Sequence, residues 1–366
     1  MDKKRCIIHI PFYVDFEYPS GSQIRPIQMI KSFENIGYYT DVVIGYGEDR
    51  KKSIDRIKKN VLNGVKYDFV YSESSTEPTL LTEKNHMPKY PFMDFSFFKF
   101  CKNHGMKVGL FYRDVYWRFP IYKNNVSLLK RIPALLFYKY DLKKYNQLLD
   151  VLYLPTKLMY EYIPFEFKKE IYELPPAAET RKLAFNRNAD DNLKIFYVGG
   201  IHSLYNLKML FEVVSELKNV TLTVCCRENE WNDNKNIYEK YLNDRIEVIH
   251  KSGQDLITYF EQCDICNLFF EPSEYRKFAM PVKLFEYISY GKPIISNDET
   301  ATGKFVKHNN IGWTVPYDKE KLYNCIKNIS ENKNEVMEKS DIVRSIIDKN
   351  TWESRAYKVS RDLTKE

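Results

Sequence analysis

The sequence lacks any uninterrupted apolar run of the roughly 18 residues that a membrane-spanning helix requires. Its first residues, MDKKRCIIHIPFYVDFEYP, also lack the small-residue cleavage site of a secretory signal peptide. The seven cysteines are odd in number and lie mostly in apolar segments, which favours a reducing compartment over a disulfide framework. We therefore expect a cytoplasmic location, either free or at the inner face of the cell membrane.

Two further absences limit the function. The net charge of +7 is spread along 366 residues without a concentrated basic stripe, so we expect no nucleic-acid partner. No Asp-x-Asp motif is present, so a metal-bridged diphosphate is disfavoured and we expect no metal or other cofactor. The single CxxC pair, Cys263 and Cys266, has no second pair or histidine cluster, and we interpret it as two small apolar strand residues.

Apolar runs of strand length alternate with longer amphipathic segments from end to end, which is typical of the α/β class with parallel sheets. In the first half we predict helices at Gln23–Asn35 and Val126–Leu149 and strands at Cys6–Phe12, Asp41–Tyr46, Phe69–Ser72, Lys107–Arg113 and Val151–Leu154. After a polar linker, residues 175–192, we predict strands at Lys194–Val198, Thr221–Cys225, Ile246–His250, Cys263–Phe269, Pro293–Ser296 and Trp313–Val315.

This alternation predicts two Rossmann-like domains, residues 1–175 and 193–350, facing each other across a cleft. A last helix, Thr351–Leu363, begins with a threonine suited to helix capping and carries Trp352 on its apolar stripe. We expect residues 351–366 to pack back on the N-terminal domain.

The most informative segment is Tyr275–Asn297, YRKFAMPVKLFEYISYGKPIISN. Pro281 opens a predicted helix, where its missing N–H is no loss and the other free N–H groups can face an anion. Lys283 and Glu286 lie one turn apart on that helix, so they either contact a ligand or form an ordinary surface ion pair.

This segment resembles the donor-binding motif of GT-B glycosyltransferases, especially the large glycogen-synthase-like (family four type) group. The matching residues are Pro281, Lys283, Glu286, Gly291, Pro293 and Ser296. The resemblance implies the GT-B fold, a nucleotide diphosphate sugar as donor, and Glu286 as the residue that binds the ribose hydroxyls. It implies a glycan or lipid-linked glycan as acceptor, in the synthesis of a bacterial surface polysaccharide such as a capsule or O-antigen.

One position departs from the family pattern. Phe278 stands where the family's first motif glutamate lies near the donor sugar, so the retaining or inverting outcome stays open. Glu271 and Glu274 are nearby substitutes. The alternatives to sugar transfer are a nucleotide-sugar 2-epimerase and a non-catalytic sugar-binding module of the same fold.

The resemblance assigns further donor contacts to the start of the C-terminal domain. Gly199 and Gly200 follow its first strand, where a glycine turn lets backbone approach the diphosphate. Arg227 follows the next strand and is expected to bind phosphate, with a surface ion pair to Glu228 or Glu230 as the alternative.

In the N-terminal half, candidate residues follow two predicted strands. Asp114 is the candidate catalytic base, or a turn cap, and Arg113 and Trp117 lie beside it as cleft or acceptor residues, Trp117 with a core role as the alternative. The loop Tyr18–Pro26 supplies Gly21, Ser22 and Arg25 as further acceptor or cleft candidates. His9, on the first strand, is expected to be a core residue.

The segment 125–147, NVSLLKRIPALLFYKYDLKKYNQ, mixes leucine and aromatic residues with basic ones. Such segments lie at membrane interfaces, but a helix that buries its apolar face in its own domain has the same pattern. We expect peripheral membrane contact here, with burial as the alternative.

Overall fold

The computed structural model describes residues 4–17, 21–179, 181 and 192–365, which form two compact units. Unit 1 comprises the chain up to Pro176 together with the segment from Trp352, and unit 2 comprises Ala177–Thr351. Most of the expected linker, residues 180 and 182–191, lies outside the described residues. The predicted α/β class with two parallel sheets is confirmed.

Unit 1 contains a six-stranded parallel sheet in the order β2-β1-β3-β4-β5-β6. The strands are β1 (Arg5–Ile10), β2 (Tyr39–Ile44), β3 (Phe69–Glu73), β4 (Lys107–Phe111), β5 (Val151–Leu154) and β6 (Glu170–Glu173). The helices are α1 (Gly21–Asn35), α2 (Gly47–Leu62), α3 (Met93–Asn103), α4 (Pro120–Asn125) and α5 (Leu128–Leu148).

Strand β6 is absent from the sequence-based assignment for a physical reason. Its residues, EIYE, are half-buried or exposed, whereas every residue of β3 and β5 is buried. An edge strand with charged residues has neither a continuous apolar run nor a strict alternation, so its pattern resembles a loop.

Unit 2 contains a second six-stranded parallel sheet, in the order β12-β11-β10-β7-β8-β9. The strands are β7 (Leu193–Val198), β8 (Val220–Cys225), β9 (Ile246–Ile249), β10 (Ile265–Leu268), β11 (Ile294–Asn297) and β12 (Gly312–Val315). The helices are α6 (Lys208–Glu216), α7 (Glu228–Asn234), α8 (Leu256–Gln262), α9 (Val282–Ser289), α10 (Ala301–Asn309), α11 (Lys319–Glu331) and α12 (Lys333–Ser345).

The order of the strands reverses once within each sheet. In unit 2 the chain runs outward from β7 through β8 to β9 and then returns to the other side of β7 as β10. In unit 1 it runs from β1 to β2 and returns beside β1 as β3. Ligands of open parallel sheets bind where the carboxyl ends of strands diverge at such a reversal. A ligand is therefore expected at the loops after β7 and β10 in unit 2 and at those after β1 and β3 in unit 1.

The last helix, α13 (Trp352–Thr364), packs within unit 1 against α1, β3 and β4. Trp352 is 2% exposed, and the guanidinium of Arg25 lies 5.7 Å from the centre of its ring. At the other end, Leu363 lies against Gly109 of β4, where an added Cβ would be 3.0 Å from the leucine Cδ1. Small and large side chains thus interlock along this helix.

Candidate active site

The loop that follows β7 is shaped by two consecutive glycines. Gly199 has a φ of +147°, and an added Cβ there would lie 1.7 Å from the Nζ atom of Lys283. The N–H of Gly199 donates to the carbonyl oxygen of Cys225, which anchors the loop to β8. Only glycine leaves room for a lysine ammonium directly against this backbone.

Lys283, on the first turn of α9, carries this ammonium and is half-buried. Its Nζ donates to the hydroxyl of Tyr197 at 3.0 Å and lies 4.3 Å from the centre of the Tyr205 ring. Desolvation lowers the pKa of Lys283 to about 8, against a smaller opposing effect of Glu286. At neutral pH the lysine is therefore still mostly protonated, although burial disfavours its charged form.

A second cation, Arg276, reaches the same place and was not selected from the sequence. It lies in the short 3₁₀ turn Tyr275–Lys277 of the loop after β10. Its Cζ is 4.7 Å from the ring centre of Phe270 and 5.4 Å from that of Tyr205. Desolvation lowers its pKa as well. The available signal was the Arg276-Lys277 pair in the loop a few residues before the predicted helix.

Among the described residues, no carboxylate lies within ion-pair distance of the Lys283 ammonium or the Arg276 guanidinium. Both converge on the ring of Tyr205, at the sheet's reversal point. Taking positive charges out of water without a counter-ion is costly. The arrangement is therefore suited to binding an anion.

Pro281 and Glu286 lie on the same helix as Lys283. Pro281 is the N-cap of α9, and Glu286 follows Lys283 by one turn as a half-buried residue. Desolvation raises the pKa of Glu286, partly offset by the charges of Arg181 and Lys283. No hydrogen bond to its carboxylate is present among the described residues, so this group can accept hydrogen bonds from a ligand.

Arg227, the N-cap of α7, has a side chain that is 79% exposed and pairs with Glu230 at 3.4 Å. The other carboxylate oxygen of Glu230 accepts a hydrogen bond from the N–H of Ile201, at 3.2 Å. The structure thus contains the surface ion pair that the sequence analysis gave as the alternative role of Arg227. Through Glu230, Arg227 is nonetheless connected to the backbone immediately after Gly200.

Phe278 confirms that no carboxylate occupies the family's first motif position. Its ring is 1% exposed and packs edge-on against Tyr275 at 5.2 Å. Glu274 pairs with Lys277, whereas Glu271 is exposed.

Unit 1 contains a cavity of about 350 Å³ at the carboxyl ends of β1 and β3. Its lining includes Phe12, Tyr13, Tyr46, Glu77, His86 and Arg113. The rings of Tyr13 and Tyr46 stack at 5.3 Å, and Tyr13 is 50% exposed. A cavity with aromatic faces and charged groups at its edge suits a polyhydroxylated ligand.

Arg113 is the one predicted cleft residue that lines this cavity. Its guanidinium donates to Glu73 at 3.3 Å and to the carbonyl oxygen of Ser74 at 3.3 Å, and desolvation lowers its pKa. Glu73 is fully buried and also accepts a hydrogen bond from Arg25 at 3.2 Å. The two arginines therefore share one buried carboxylate.

Two predicted cleft residues require correction because their side chains belong to the core. Arg25 is 3% exposed, lies within α1 rather than in a loop, and covers the Phe111 ring at 3.5 Å. Trp117 is 4% exposed, stacks on Tyr138 at 4.7 Å and donates to the Tyr112 hydroxyl. Neither side chain is open to a sugar.

The remaining unit 1 candidates have local roles. Asp114 accepts a hydrogen bond from the N–H of Tyr116 at 2.8 Å, which is the turn-capping alternative. Gly21 and Ser22 begin α1, and the residues just before them, 18–20, lie outside the described part. His9 is a buried core residue, as expected, and its ring bonds to Ser72 and Asp94 at 2.9 Å each.

No group of three or more histidine, cysteine, aspartate or glutamate residues in the described part of the chain has a metal-binding arrangement. Cys263 and Cys266 are buried, with sulfur atoms 3.9 Å apart.

Comparison with known proteins agrees with this geometry. Residues 179–344 match the model of the family described as "Glycosyl transferases group 1". Among curated proteins, no significant sequence match is found.

Solved structures share the fold of the whole chain at low sequence identity. A glycosyltransferase from Rickettsia africae ESF-5 aligns with a TM-score of 0.66 and 14% identity, covering 99% of both chains. Sucrose-phosphate synthase from Thermosynechococcus elongatus aligns with a TM-score of 0.64 and 13% identity, covering 98% of both chains. Anabaena HepE, solved in complex with UDP-glucose, aligns with a TM-score of 0.64 and 10% identity, covering 98% of this chain and 99% of its own. The chain thus has the GT-B fold of these solved glycosyltransferases, and residues 179–344 of its second unit match the glycosyl transferases group 1 family.

Proposed function

We propose that this enzyme transfers a sugar from a nucleotide diphosphate sugar, bound by unit 2, to a hydroxyl group of a glycan or lipid-linked glycan. The observation that carries the proposal is that the cations Lys283 and Arg276 converge on Tyr205 with no carboxylate within ion-pair distance among the described residues. Lys283 also lies against the Gly199-Gly200 turn. A diphosphate supplies the missing negative charge, and as leaving group it gains further charge when the glycosidic bond breaks. Cations positioned in advance stabilise that developing charge.

The donor assignment also has support from unit 2's other groups. The start of α9 after Pro281 presents free N–H groups, which favour phosphate. The Glu286 carboxylate has the acceptor capacity that two ribose hydroxyls require. The structure of Anabaena HepE contains UDP-glucose, and a solved trehalose-6-phosphate synthase of the same fold contains UDP-2-fluoro glucose. We therefore rank sugars carried on a nucleoside diphosphate, such as UDP-sugars, first among the possible donors.

For the acceptor we propose the cavity of unit 1. Its stacked tyrosines, Tyr13 and Tyr46, offer an aromatic edge, and its polar groups include Gln23, Glu77 and Arg113. We propose that the product is an intermediate of a bacterial surface polysaccharide, such as a capsule or O-antigen.

We also propose that the enzyme contacts the inner face of the cell membrane through part of residues 125–147. Among the described residues, no helix is long and apolar enough to cross a membrane. The first turns of α5, however, expose Leu128, Leu129, Ile132 and Leu136, with Leu129 88% exposed. Residues 115–140 contain no acidic residue and five basic ones, which suits an anionic lipid surface.

The exposed leucines are confined to the first part of this helix. From Tyr138 onward its buried side chains, including Leu142 and Tyr145, belong to the core of unit 1. Co-sedimentation with phosphatidylglycerol vesicles tests the contact, and the double variant L129Q/L136Q should release the protein. The matched control is Leu62→Gln, a 72% exposed leucine on α2. Equal binding of all three proteins would contradict the proposal.

A thermal-shift screen with UDP, GDP, CMP and their sugars tests the donor assignment. A ligand that binds the folded chain raises its melting temperature in proportion to affinity and concentration. We expect nucleoside diphosphates to stabilise more than CMP. If no nucleotide shifts the transition, the donor site is wrongly assigned. If UDP-GlcNAc alone is converted to its 2-epimer, the epimerase alternative replaces transfer, and binding without turnover favours the non-catalytic module.

A further inference from the structure

We infer that His202 of unit 2 is a third group that binds the donor's diphosphate, and that it does so as a neutral hydrogen-bond donor through its Nε2–H. Sequence analysis did not select this residue. The inference rests on the proposed function, since it concerns the same donor site. Every residue that it involves lies within unit 2, and the chemical group recognised is a charged phosphate oxygen.

One hydrogen bond of the His202 ring determines its tautomer. His202 is the N-cap of the 3₁₀ turn Ser203–Tyr205, and its Nδ1 accepts a hydrogen bond from the N–H of Leu204 at 3.4 Å. A backbone N–H can only donate, so Nδ1 must carry the lone pair, and the proton of the ring then lies on Nε2. The distal nitrogen of His202 is therefore a hydrogen-bond donor.

This donor lies at the glycine turn that follows β7 and is open to a ligand. A Cβ added to Gly200 would be 3.1 Å from Nε2 of His202, so glycine leaves the room that the ring occupies. Nε2 has no hydrogen-bond partner among the described residues. The Glu230 carboxylate lies close by, but it bonds to the N–H of Ile201 and not to the His202 ring. The ring itself is half-buried.

The ring of Tyr205 brings His202 together with the two cations of the donor site. The His202 ring meets it edge-on, with 5.0 Å between the ring centres. The Lys283 Nζ lies 4.3 Å and the Arg276 Cζ 5.4 Å from the centre of the same tyrosine ring. Three segments of the chain thus bring nitrogen donors to one place, and a diphosphate has enough oxygens to accept from all three.

A neutral third donor suits a place that already contains two positive charges. A third cation beside Lys283 and Arg276 would repel both of them. A neutral imidazole avoids this repulsion and still forms a strong, directional hydrogen bond, because the phosphate oxygen that accepts it is charged. Only the neutral ring can accept the hydrogen bond from Leu204, since Nδ1 of an imidazolium carries a proton.

The alternative role of His202 is local, as the cap of the 3₁₀ turn. That role uses Nδ1, whereas binding of phosphate uses Nε2, so two substitutions can separate them. In His202→Asn the shorter amide can still accept from the N–H of Leu204, but no donor remains at the distal position. In His202→Gln the longer amide places an N–H donor near the position of Nε2.

The tautomer is measured first, in the full chain without ligand. Long-range ¹H–¹⁵N spectra of histidine-labelled protein, at a pH where the rings are neutral, should show His202 protonated at Nε2. His250 is an internal reference of the opposite kind, because its Nδ1 lies 2.8 Å from the carbonyl oxygen of Cys226 and must donate. A neutral His202 ring protonated at Nδ1 would overturn the inference, since Nε2 could not then donate to phosphate.

Affinity for UDP and for inorganic pyrophosphate is measured next, by calorimetry. We expect His202→Asn to weaken both by roughly 10–100-fold, the range for a lost hydrogen bond to a charged group. His202→Gln should retain most of the affinity. Both variants keep a polar side chain at a half-buried position, so their melting temperatures should stay close to that of the unmodified chain.

The matched control is His308, an exposed residue in the last turn of α10. Helices that connect parallel strands run antiparallel to them, so this turn lies at the edge of the sheet opposite to the ligand-binding one. His308→Asn and His308→Gln should bind UDP as the unmodified chain does.

The outcomes separate this inference from the proposed function. If His202→Asn keeps its affinity while His202→Gln loses it, His202 only caps the turn and the inference is wrong. Equal losses in the two variants would also overturn it, because the distal donor would then have no effect of its own. If the unmodified chain binds neither UDP nor pyrophosphate, the proposed donor site itself fails, whichever tautomer the spectra show.

Discussion

The Nζ of Lys283 lies 3.0 Å from the hydroxyl oxygen of Tyr197, and that hydroxyl donates to the carbonyl oxygen of Gly200 at 2.6 Å. The lysine thus donates to a neutral group instead of a carboxylate. Its orientation is fixed, while no carboxylate among the described residues forms an ion pair with it. A site of this kind is positioned for a ligand anion before the ligand arrives.

The pH dependence of UDP binding follows from this lysine. Its pKa of about 8 means that the ammonium is charged below that pH and loses its proton above it. We expect UDP affinity, measured by calorimetry, to weaken as pH rises through about 8. The variant Lys283→Arg, which stays charged, should lose this dependence. If the unmodified protein binds UDP with constant affinity across this pH range, Lys283 does not belong to the donor site.

The lowered pKa of Lys283 has the opposite effect on the free energy of unfolding. The folded pKa lies below the ordinary value of 10.5, so the unfolded chain binds this proton more tightly. The contribution of Lys283 to the free energy of unfolding therefore increases with pH between about 8 and 10.5. Binding and stability should respond to pH in opposite directions.

Gly199→Ala should weaken UDP binding because the new Cβ would occupy the place of the Lys283 Nζ. Gly253→Ala is the control, since Gly253 also has positive φ, at +58°, but nothing lies within 4 Å of an added Cβ. Both variants should lose about 1 kcal/mol of stability from backbone strain. Only the first should lose affinity, and equal affinities would show that the contact with Lys283 is unimportant.

Replacing Glu286 by Gln should weaken nucleotide binding by about 1–3 kcal/mol, the range for a lost charged hydrogen-bond partner. Desolvation already raises the pKa of this carboxyl, so removing its charge should leave the fold intact. Calorimetry with free UDP measures the effect. Unchanged affinity, with an unchanged melting temperature, would leave Glu286 outside the donor site.

Activity should survive chelation by EDTA. The proposed charge neutralisation uses Lys283, Arg276 and the start of α9, and none of these needs a bridging cation. UDP release before and after EDTA treatment gives the measurement. Loss of activity that magnesium or manganese restores would show that a metal takes part.

Trp352→Ala should destabilise unit 1 by about 3–5 kcal/mol, the usual cost of truncating a buried tryptophan. The ring is 2% exposed and lies under Arg25, and its helix also holds the carbonyl oxygens of Pro175 and Pro176 through Arg355. Urea unfolding measures the loss, and UDP affinity at unit 2 should not change. An unaltered transition would mean that α13 does not stabilise unit 1.

The fold class and most strands could be predicted from the sequence because their signals are local. Buried parallel strands are short apolar runs, and β5 (Val151–Leu154) has the predicted bounds. The segment from Pro281 to Gly291 likewise predicted helix α9, and its resemblance to the GT-B donor motif is what selected Lys283 and Glu286.

The sequence by itself therefore determined the two parallel sheets and one half of the candidate donor site. Only the tertiary structure decided that Arg276 meets Lys283 at Tyr205 and that Arg25 and Trp117 are core residues. The physical reason is that periodicity reports which face of an element is buried. Which side chains converge depends on the strand order and on single backbone angles, and both are set by packing across the whole unit.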